Sequence, residues 1–364
     1  MQGRRLQEVW EQRLRDNLKV VHLIPEDSLG GAETAAREMA CGGHLGCDFH
    51  LLAMAGELLA KDQPRFTGLG FGSPLNPLAQ IAAVRANLRH KPDVLISSLW
   101  KSAPAAIMAK LLRPQMKLVA FFHSAERTHG SDRLFHRAIT KVADAIWGDS
   151  PATLKAASVS KLPVRTISYI IDPTPPAVPD RAPCARFVSW SRIHYHKGMD
   201  RSLELIARLA ARGVDARFDI WGPDQGPRAD LERQAARLGI ADRVHFHGPV
   251  ARTDLAKIAA DAGFLLQLSR LEGMAMVVVE AMQFGLVPVV TLVGEMANYC
   301  RDGENALLVD VAELDRAADR IAALLADPTL YRRMSKAAHQ QWLGRRTYAE
   351  DVCAAPLELT GPIA

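Results

Sequence analysis

No apolar run in this chain of 364 residues approaches the roughly 18 to 20 positions that a membrane-spanning helix needs. The opening stretch MQGRRLQEVWEQRLRDNL carries charges throughout and has no apolar h-region, so it does not read as a secretory signal. Cysteine is scarce. The five (Cys41, Cys47, Cys184, Cys300, Cys353) are odd in number and include no C-x-x-C pair. Such a set is expected of a reduced, cytoplasmic protein without structural zinc. G-x-G-x-x-G and G-x-x-x-x-G-K-[ST] are both missing, which removes the dinucleotide oxidoreductase and P-loop readings. No nucleic-acid partner is expected.

What is present describes a globular protein, with 48% hydrophobic and 23% charged residues. The length fits two domains better than one core. Charge is divided unevenly. Residues 1–172 hold 22 Lys and Arg against 16 Asp and Glu, and residues 173–364 hold 23 against 24. The whole positive excess therefore belongs to the first half. It suits either contact with an anionic membrane or phosphate-bearing acceptor, or plain solubility.

The first half alternates strands and helices. Lys19–Ile24 reads as a strand ended by Pro25, and Gly30-Gly31 opens a helix to Met39. Strands are expected at Phe49–Met54, Asp93–Ser98, Lys117–Phe122 and Ala143–Trp147, with helices at Pro77–Arg89 and Ala103–Leu112. Residues 172–185 hold five prolines in fourteen positions and read as a stiff linker. The alternation then restarts, with strands at Phe187–Ser191, Ala216–Trp221, Val244–His247, Phe264–Leu268 and Val287–Thr291. The expected helices are Asp200–Arg212, Leu231–Leu238, Asp254–Ala260, Met276–Phe284, Leu314–Ala326 and Pro328–Leu343. Val277-Val-Val279 favours a strand by propensity. A helix is expected instead, because two parallel strands on either side need a crossover. The division is a 1–17 extension, a first α/β domain at 18–171, the linker at 172–185, a second at 186–345, and a 346–364 tail crossing back to the first. Ligands in such sheets bind at the carboxyl ends of the strands.

Glu272 and Glu280 stand out within this second domain. The second of them lies inside an apolar run, where a carboxylate is costly unless paired or hydrogen-bonded. Something polar must meet it, and a sugar diol is one candidate, because a carboxylate accepts two hydroxyls at once. Arg192 and Lys197, five apart before a helix, are placed to converge on one anion. Gly30 and Gly31 let a backbone approach a ligand, or serve a turn needing positive φ. Gly222 follows a strand as a ligand loop or as turn chemistry. His123 closes an apolar strand, either to donate to a sugar hydroxyl or as a satisfied strand-end histidine. Trp100, beside Lys101, either stacks on a sugar ring or is an ordinary buried aromatic.

These stretches together resemble the family 4 retaining glycosyltransferases. The acidic pair E-x7-E is followed by Ala281-Met282, Gly285 and Pro288-Val289-Val290, and Gly30-Gly31-Ala32-Glu33 is similar to the family's G-G-A-E loop. The resemblance implies a GT-B architecture, two Rossmann-like parallel-sheet domains facing a cleft. It implies transfer of a sugar from a nucleotide-sugar, UDP-linked first and GDP-linked next, to a glycan or lipid-linked acceptor hydroxyl. Bacterial surface-polysaccharide assembly would be the setting, with retention of anomeric configuration and no metal cofactor. His123, Glu272, Arg192 and Lys197 would act at the reacting centre. Gly30, Gly31, Gly222, Gly273, Met274, Ala275 and Glu280 would join Arg192, Lys197 and Glu272 in holding the donor, with Trp100 and Lys101 on the acceptor side. The absence of any D-x-D agrees with a metal-independent type. The chain departs from the family at Met274-Ala275, where Phe-Gly is frequent, at Val293-Gly294, where a Gly-Gly pair is usual, and at Asn298, where Glu is common. A GT-B nucleotide-sugar epimerase and a catalytically silent partner of a glycan assembly complex remain as alternatives.

Overall fold

The computed structural model describes residues 18–28, 30–42, 47–123, 130–157, 161–178 and 180–360. The chain forms two compact units. One comprises the described residues up to Ile171 together with those from Arg346 onward, and the other is Asp172–Arg345. The expected 1–17 extension lies outside the described residues.

The first unit is a seven-stranded parallel sheet in the order β3-β2-β1-β4-β5-β6-β7. Its strands are β1 (Lys19–Asp27), β2 (Asp48–Gly56), β3 (Phe66–Phe71), β4 (Val94–Ser98), β5 (Lys117–Phe122), β6 (Ala145–Gly148) and β7 (Val164–Thr166). Between them run α1 (Gly31–Cys41), α2 (Pro77–His90), α3 (Ala103–Leu112), α4 (Gly130–Thr140) and α5 (Pro151–Ala157). The central strands read as continuous apolar runs because both their faces are covered. Strand β1 continues through Pro25, where the sequence pattern ends it. Its pairing with β4 stops at Leu23↔Ser97, so Pro25 lies past that ladder and beside β2 alone.

The second unit has six parallel strands in the order β10-β9-β8-β11-β12-β13. They are β8 (Arg186–Trp190), β9 (Arg217–Trp221), β10 (Val244–Gly248), β11 (Phe264–Gln267), β12 (Val287–Val290) and β13 (Leu307–Leu308). The helices are α6 (Met199–Ala211), α7 (Arg228–Arg237), α8 (Leu255–Ala260), α9 (Met276–Gln283), α10 (Met296–Tyr299), α11 (Leu314–Ala326) and α12 (Pro328–Gln340). Val277-Val-Val279 is helical, so the crossover requirement outweighs β-propensity. The proline-rich segment lies along this unit instead of standing free. Gln283 Nε2 donates to Asp172 O and Thr174 Oγ1, each at 2.9 Å, and Arg181 Nη1 donates to Ala262 O at 2.8 Å.

In each unit the strand order reverses direction once, between β1 and β4 and between β8 and β11. The loops leaving such neighbouring strands diverge and open a ligand crevice. Gly30-Gly31 and Ser97–Lys101 leave the first switch point, and Ser191–Gly198 and Leu268–Ala275 leave the second.

The last helix, α13 (Tyr348–Thr360), belongs to the first unit. Tyr348 N donates to Ile170 O at 2.6 Å and Ser168 N to Asp351 Oδ2 at 2.9 Å. Cys353 of α13 and Cys47 form a disulfide with Cα atoms 5.5 Å apart. The expectation of uniformly reduced cysteines is corrected here. The return of the chain sets α13 beside β2, and no local spacing of cysteines encodes that.

Candidate active site

At the second switch point, Glu272 is held by three side chains at once. Lys197 Nζ bridges its two oxygens at 2.8 and 3.0 Å, and Gln267 Nε2 and Ser269 Oγ donate to Oε1 at 2.8 and 2.7 Å. The Lys197 and Glu272 side chains are only 15% and 7% exposed, so this is a pair largely withdrawn from water. The carboxylate expected to face a sugar and the ammonium expected on a diphosphate thus form one preassembled cluster.

Arg192 differs from its neighbours. It is half-buried, its Nη1 meets Gln225 Oε1 at 3.2 Å, and it has no carboxylate partner among the described residues. An arginine left in that state keeps most of its donors for an anion.

Two glycines let the surrounding loops close. A Cβ on Gly198 (φ 64°) would fall 1.9 Å from Leu268 O, and one on Gly222 (φ 139°) 2.0 Å from Ser191 O. Those contacts seat the Lys197 loop on the end of β11 and the turn after β9 on the end of β8. Arg270 fixes the same loop, forking onto Asp200 at 2.7 and 2.6 Å with its guanidinium 4.0 Å from the Tyr195 ring centre.

Glu280 is 8% exposed and does meet polar partners, as its apolar setting requires. Trp190 Nε1 donates to Oε2 at 2.8 Å and Arg252 Nη1 to Oε1 at 2.5 Å, while Arg252 Nη2 reaches Asp172 Oδ2 at 2.7 Å. A carboxylate offers about four lone-pair sites, so two remain for hydroxyls. Trp190, Arg252, Gln267 and Ser269 were not among the expected site residues. Trp190, Gln267 and Ser269 lie in or beside stretches that drew attention for another residue, Arg252 does not, and only folding brings them to the glutamates.

Gly273, Met274 and Ala275 form the turn into α9. Gly273 O accepts from Glu295 N at 2.9 Å and Met274 O from Tyr299 Oη at 2.8 Å. Ala275 is left-handed (φ 54°, ψ 59°) and 5% exposed. The residue standing where the family has glycine therefore carries the backbone strain a glycine would avoid. Asn298 Nδ2 donates to Glu295 Oε2 at 2.8 Å.

In the first unit, Gly30 and Gly31 join β1 to α1 as expected, but neither takes positive φ. Gly30 has φ −76°, and a Cβ there would lie 2.1 Å from Glu33 Oε2. The missing side chain makes room for the Glu33 carboxylate, which leans over the helix N-terminus where negative charge is favoured. Arg37 and Asp27, a buried ion pair, brace the same turn. Trp100 stacks on Phe135 with ring centres 6.0 Å apart, and Lys101 Nζ pairs with Glu26 at 2.8 Å. His123 has both ring nitrogens engaged, Nε2 with Ser98 Oγ at 2.8 Å and Nδ1 with the Tyr169 hydroxyl. Burial lowers its pKa to about 3, with His22 nearby acting in the same direction. Among the described residues no group of three or more His, Cys, Asp or Glu is placed to hold a metal, and no helix is long and apolar enough to cross a membrane.

Two parallel α/β units, each with one switch point, are the architecture of the GT-B fold. The HepE protein of Anabaena, solved with UDP and glucose, superposes with a TM-score of 0.77 at 19% identity over 94% of this chain and 99% of its own. Residues 29–159 match the model "Glycosyltransferase Family 4" and residues 183–341 the model "Glycosyl transferases group 1". Both halves of the chain are thus similar to glycosyltransferases, the first of them to family 4. A GDP-mannose:cellobiosyl-diphosphopolyprenol alpha-mannosyltransferase of Xanthomonas campestris is 28% identical over 40% of this chain. A D-inositol 3-phosphate glycosyltransferase of Streptomyces griseus subsp. griseus is 37% identical over 46% of it. The aligned part spans 38% of the length of each of these two relatives.

Proposed function

We propose that the protein transfers a sugar, with retention, from a nucleoside diphosphate sugar to a hydroxyl of a glycan or lipid-linked acceptor. The observation that carries this reading is the preassembled Lys197–Glu272 cluster beside Arg192, which has no acid of its own among the described residues. A departing diphosphate gains charge, and fixed cations in a partly dry site stabilise it without reorganising. Arg192 and Lys197 take that role, Glu272 faces the sugar, and the open lone pairs of Glu280 accept the ribose hydroxyls. The acceptor end rests on the basic first half of the chain and on the diphosphopolyprenol named for the Xanthomonas relative. Surface-polysaccharide assembly at an anionic membrane is the setting that suits both.

UDP-linked donors are the first choice and GDP-linked ones the next. The test is thermal unfolding against UDP, GDP, ADP and their sugar conjugates. A ligand at 100 times its dissociation constant adds about 2.7 kcal/mol of stability. One nucleotide is expected to raise the midpoint, and Arg192→Ala to abolish that rise with the unliganded midpoint unchanged. A flat response to every nucleotide defeats the donor assignment.

A further inference from the structure

The interior of the first unit holds a polar chain that the donor-site reading leaves unused. Five side chains from separate segments meet around Phe121: His22 in β1, Ser98 ending β4, His123 after β5, Tyr169 after β7 and Tyr348 opening α13. Ser98 Oγ lies 2.6 Å from His22 Nε2 and 2.8 Å from His123 Nε2. Phenols take the outer nitrogens, with the Tyr169 hydroxyl on His123 Nδ1 and the Tyr348 hydroxyl 3.2 Å from His22 Nδ1. Ser98 is 0% and His22 1% exposed.

Counting protons restricts what this chain can do. Burial lowers the pKa of His22 and of His123 to about 3 each, and raises both phenols, so all five members are neutral near pH 7. A neutral imidazole has one N–H and one bare nitrogen, and serine has one proton. Five protons serve four hydrogen bonds, so one hydroxyl proton is always left over, and two arrangements leave it on an end phenol, that of Tyr348 in the first and of Tyr169 in the second. In the first, Tyr169 donates to His123 Nδ1, His123 Nε2 to Ser98, Ser98 to His22 Nε2, and His22 Nδ1 to Tyr348. In the second every donor is reversed, and the Tyr169 proton is released from His123. A third arrangement, with both imidazoles donating to Ser98, leaves that proton on the serine, which is 0% exposed, and does not couple one histidine to the other.

We propose that His22, Ser98 and Tyr348 are positioning residues for His123, and that through them helix α13 sets which His123 nitrogen carries the proton. Tyr169 is the outlet of the chain. Its hydroxyl is committed to His123 in one arrangement and free to donate to a ligand hydroxyl in the other. This rests on the reading that His123 faces the donor sugar.

The test uses the full chain with ¹⁵N-labelled histidine, each ring assigned by its loss in His22→Gln or His123→Gln. Tyr348→Phe deprives His22 Nδ1–H of its acceptor, so it selects the second arrangement: His22 protonated at Nε2 and His123 at Nδ1. Tyr169→Phe selects the first, with both protonation sites exchanged. Whichever arrangement the unmodified protein holds, the two variants must show opposite tautomers at both histidines. Ser98→Ala in either background must remove the effect at the distant ring. Identical tautomers in the two variants overturn the proposal, and this arm needs no substrate. With UDP-glucose as probe, the variant whose tautomer departs from that of the unmodified protein is expected to lose roughly ten- to a hundredfold in turnover. Its UDP-induced rise in melting midpoint should stay unchanged. Unaltered turnover despite a changed tautomer overturns the positioning role. Absence of any UDP response in the unmodified protein overturns the donor reading alone.

Discussion

Ala275 shows how one residue can carry the cost of a departure from a family pattern. It caps α9 in the left-handed region, where an L-residue costs about 1–2 kcal/mol. Glycine there would lose that strain but gain freedom in the unfolded chain, worth about 0.4–1 kcal/mol. Ala275→Gly is therefore expected to stabilise the second unit by about 0.5–1 kcal/mol, the reverse of the usual effect of Ala→Gly in regular structure. Chemical denaturation measures it, and a loss of stability would show that the turn into α9 is held by something other than backbone strain. The neighbouring glutamates mark what was legible at this scale. Glu280 announced a polar partner by sitting in an apolar run, and the identity of that partner was hidden. Trp190 lies 90 positions before it and Arg252 28 before it, joined only by the order of β8, β10 and β11. Glu272 and Lys197 were each singled out for a ligand, yet nothing in their spacing said that they bind one another.

Helix α13 ties the end of the described chain to β2, and the tie has a chemical consequence that can be counted. Cys47 and Cys353 are bonded while Cys41, Cys184 and Cys300 are free. Protein unfolded without reductant is expected to yield three reactive thiols per chain, and all five after reduction. Five thiols before reduction would remove the bridge. Because it joins positions 306 apart, Cys353→Ser is expected to cost the first unit about 2–4 kcal/mol. The elements most visible in the sequence were those with an unbroken period. Ala103–Leu112, Lys117–Phe122 and Leu314–Ala326 occur with the bounds the pattern implies. Strand β3 escaped because Gly68 and Gly70 dilute its β-propensity, and α13 because Pro356 inside it imitates a helix end. Helix α4 was also missed; in it Asp132 Oδ1 and His136 Nε2, four positions apart, face inward 3.0 Å from each other.

The chain order of the two units makes them unequal as folding objects. Asp172–Arg345 is continuous, and its buried cluster runs from Phe187 to Met334 without borrowing a residue from outside. The first unit is discontinuous. Its last strand and the following segment depend on α13, through Ser168 on Asp351, Tyr348 on Ile170, and Arg165 on Asp351 and Glu358. His22 also loses its Nδ1 partner without Tyr348. The chain leaves the first unit after Ile171 and returns to it at Arg346. Expressed alone, residues 172–345 are expected to unfold cooperatively, with a midpoint close to that of the same unit in the whole protein. Residues 1–171 alone are expected to be markedly less stable, and to recover when 346–364 is joined back through a flexible linker. Circular dichroism melts of the three fragments measure both claims. A stable 1–171 fragment would mean that α13 decorates the first unit without completing it.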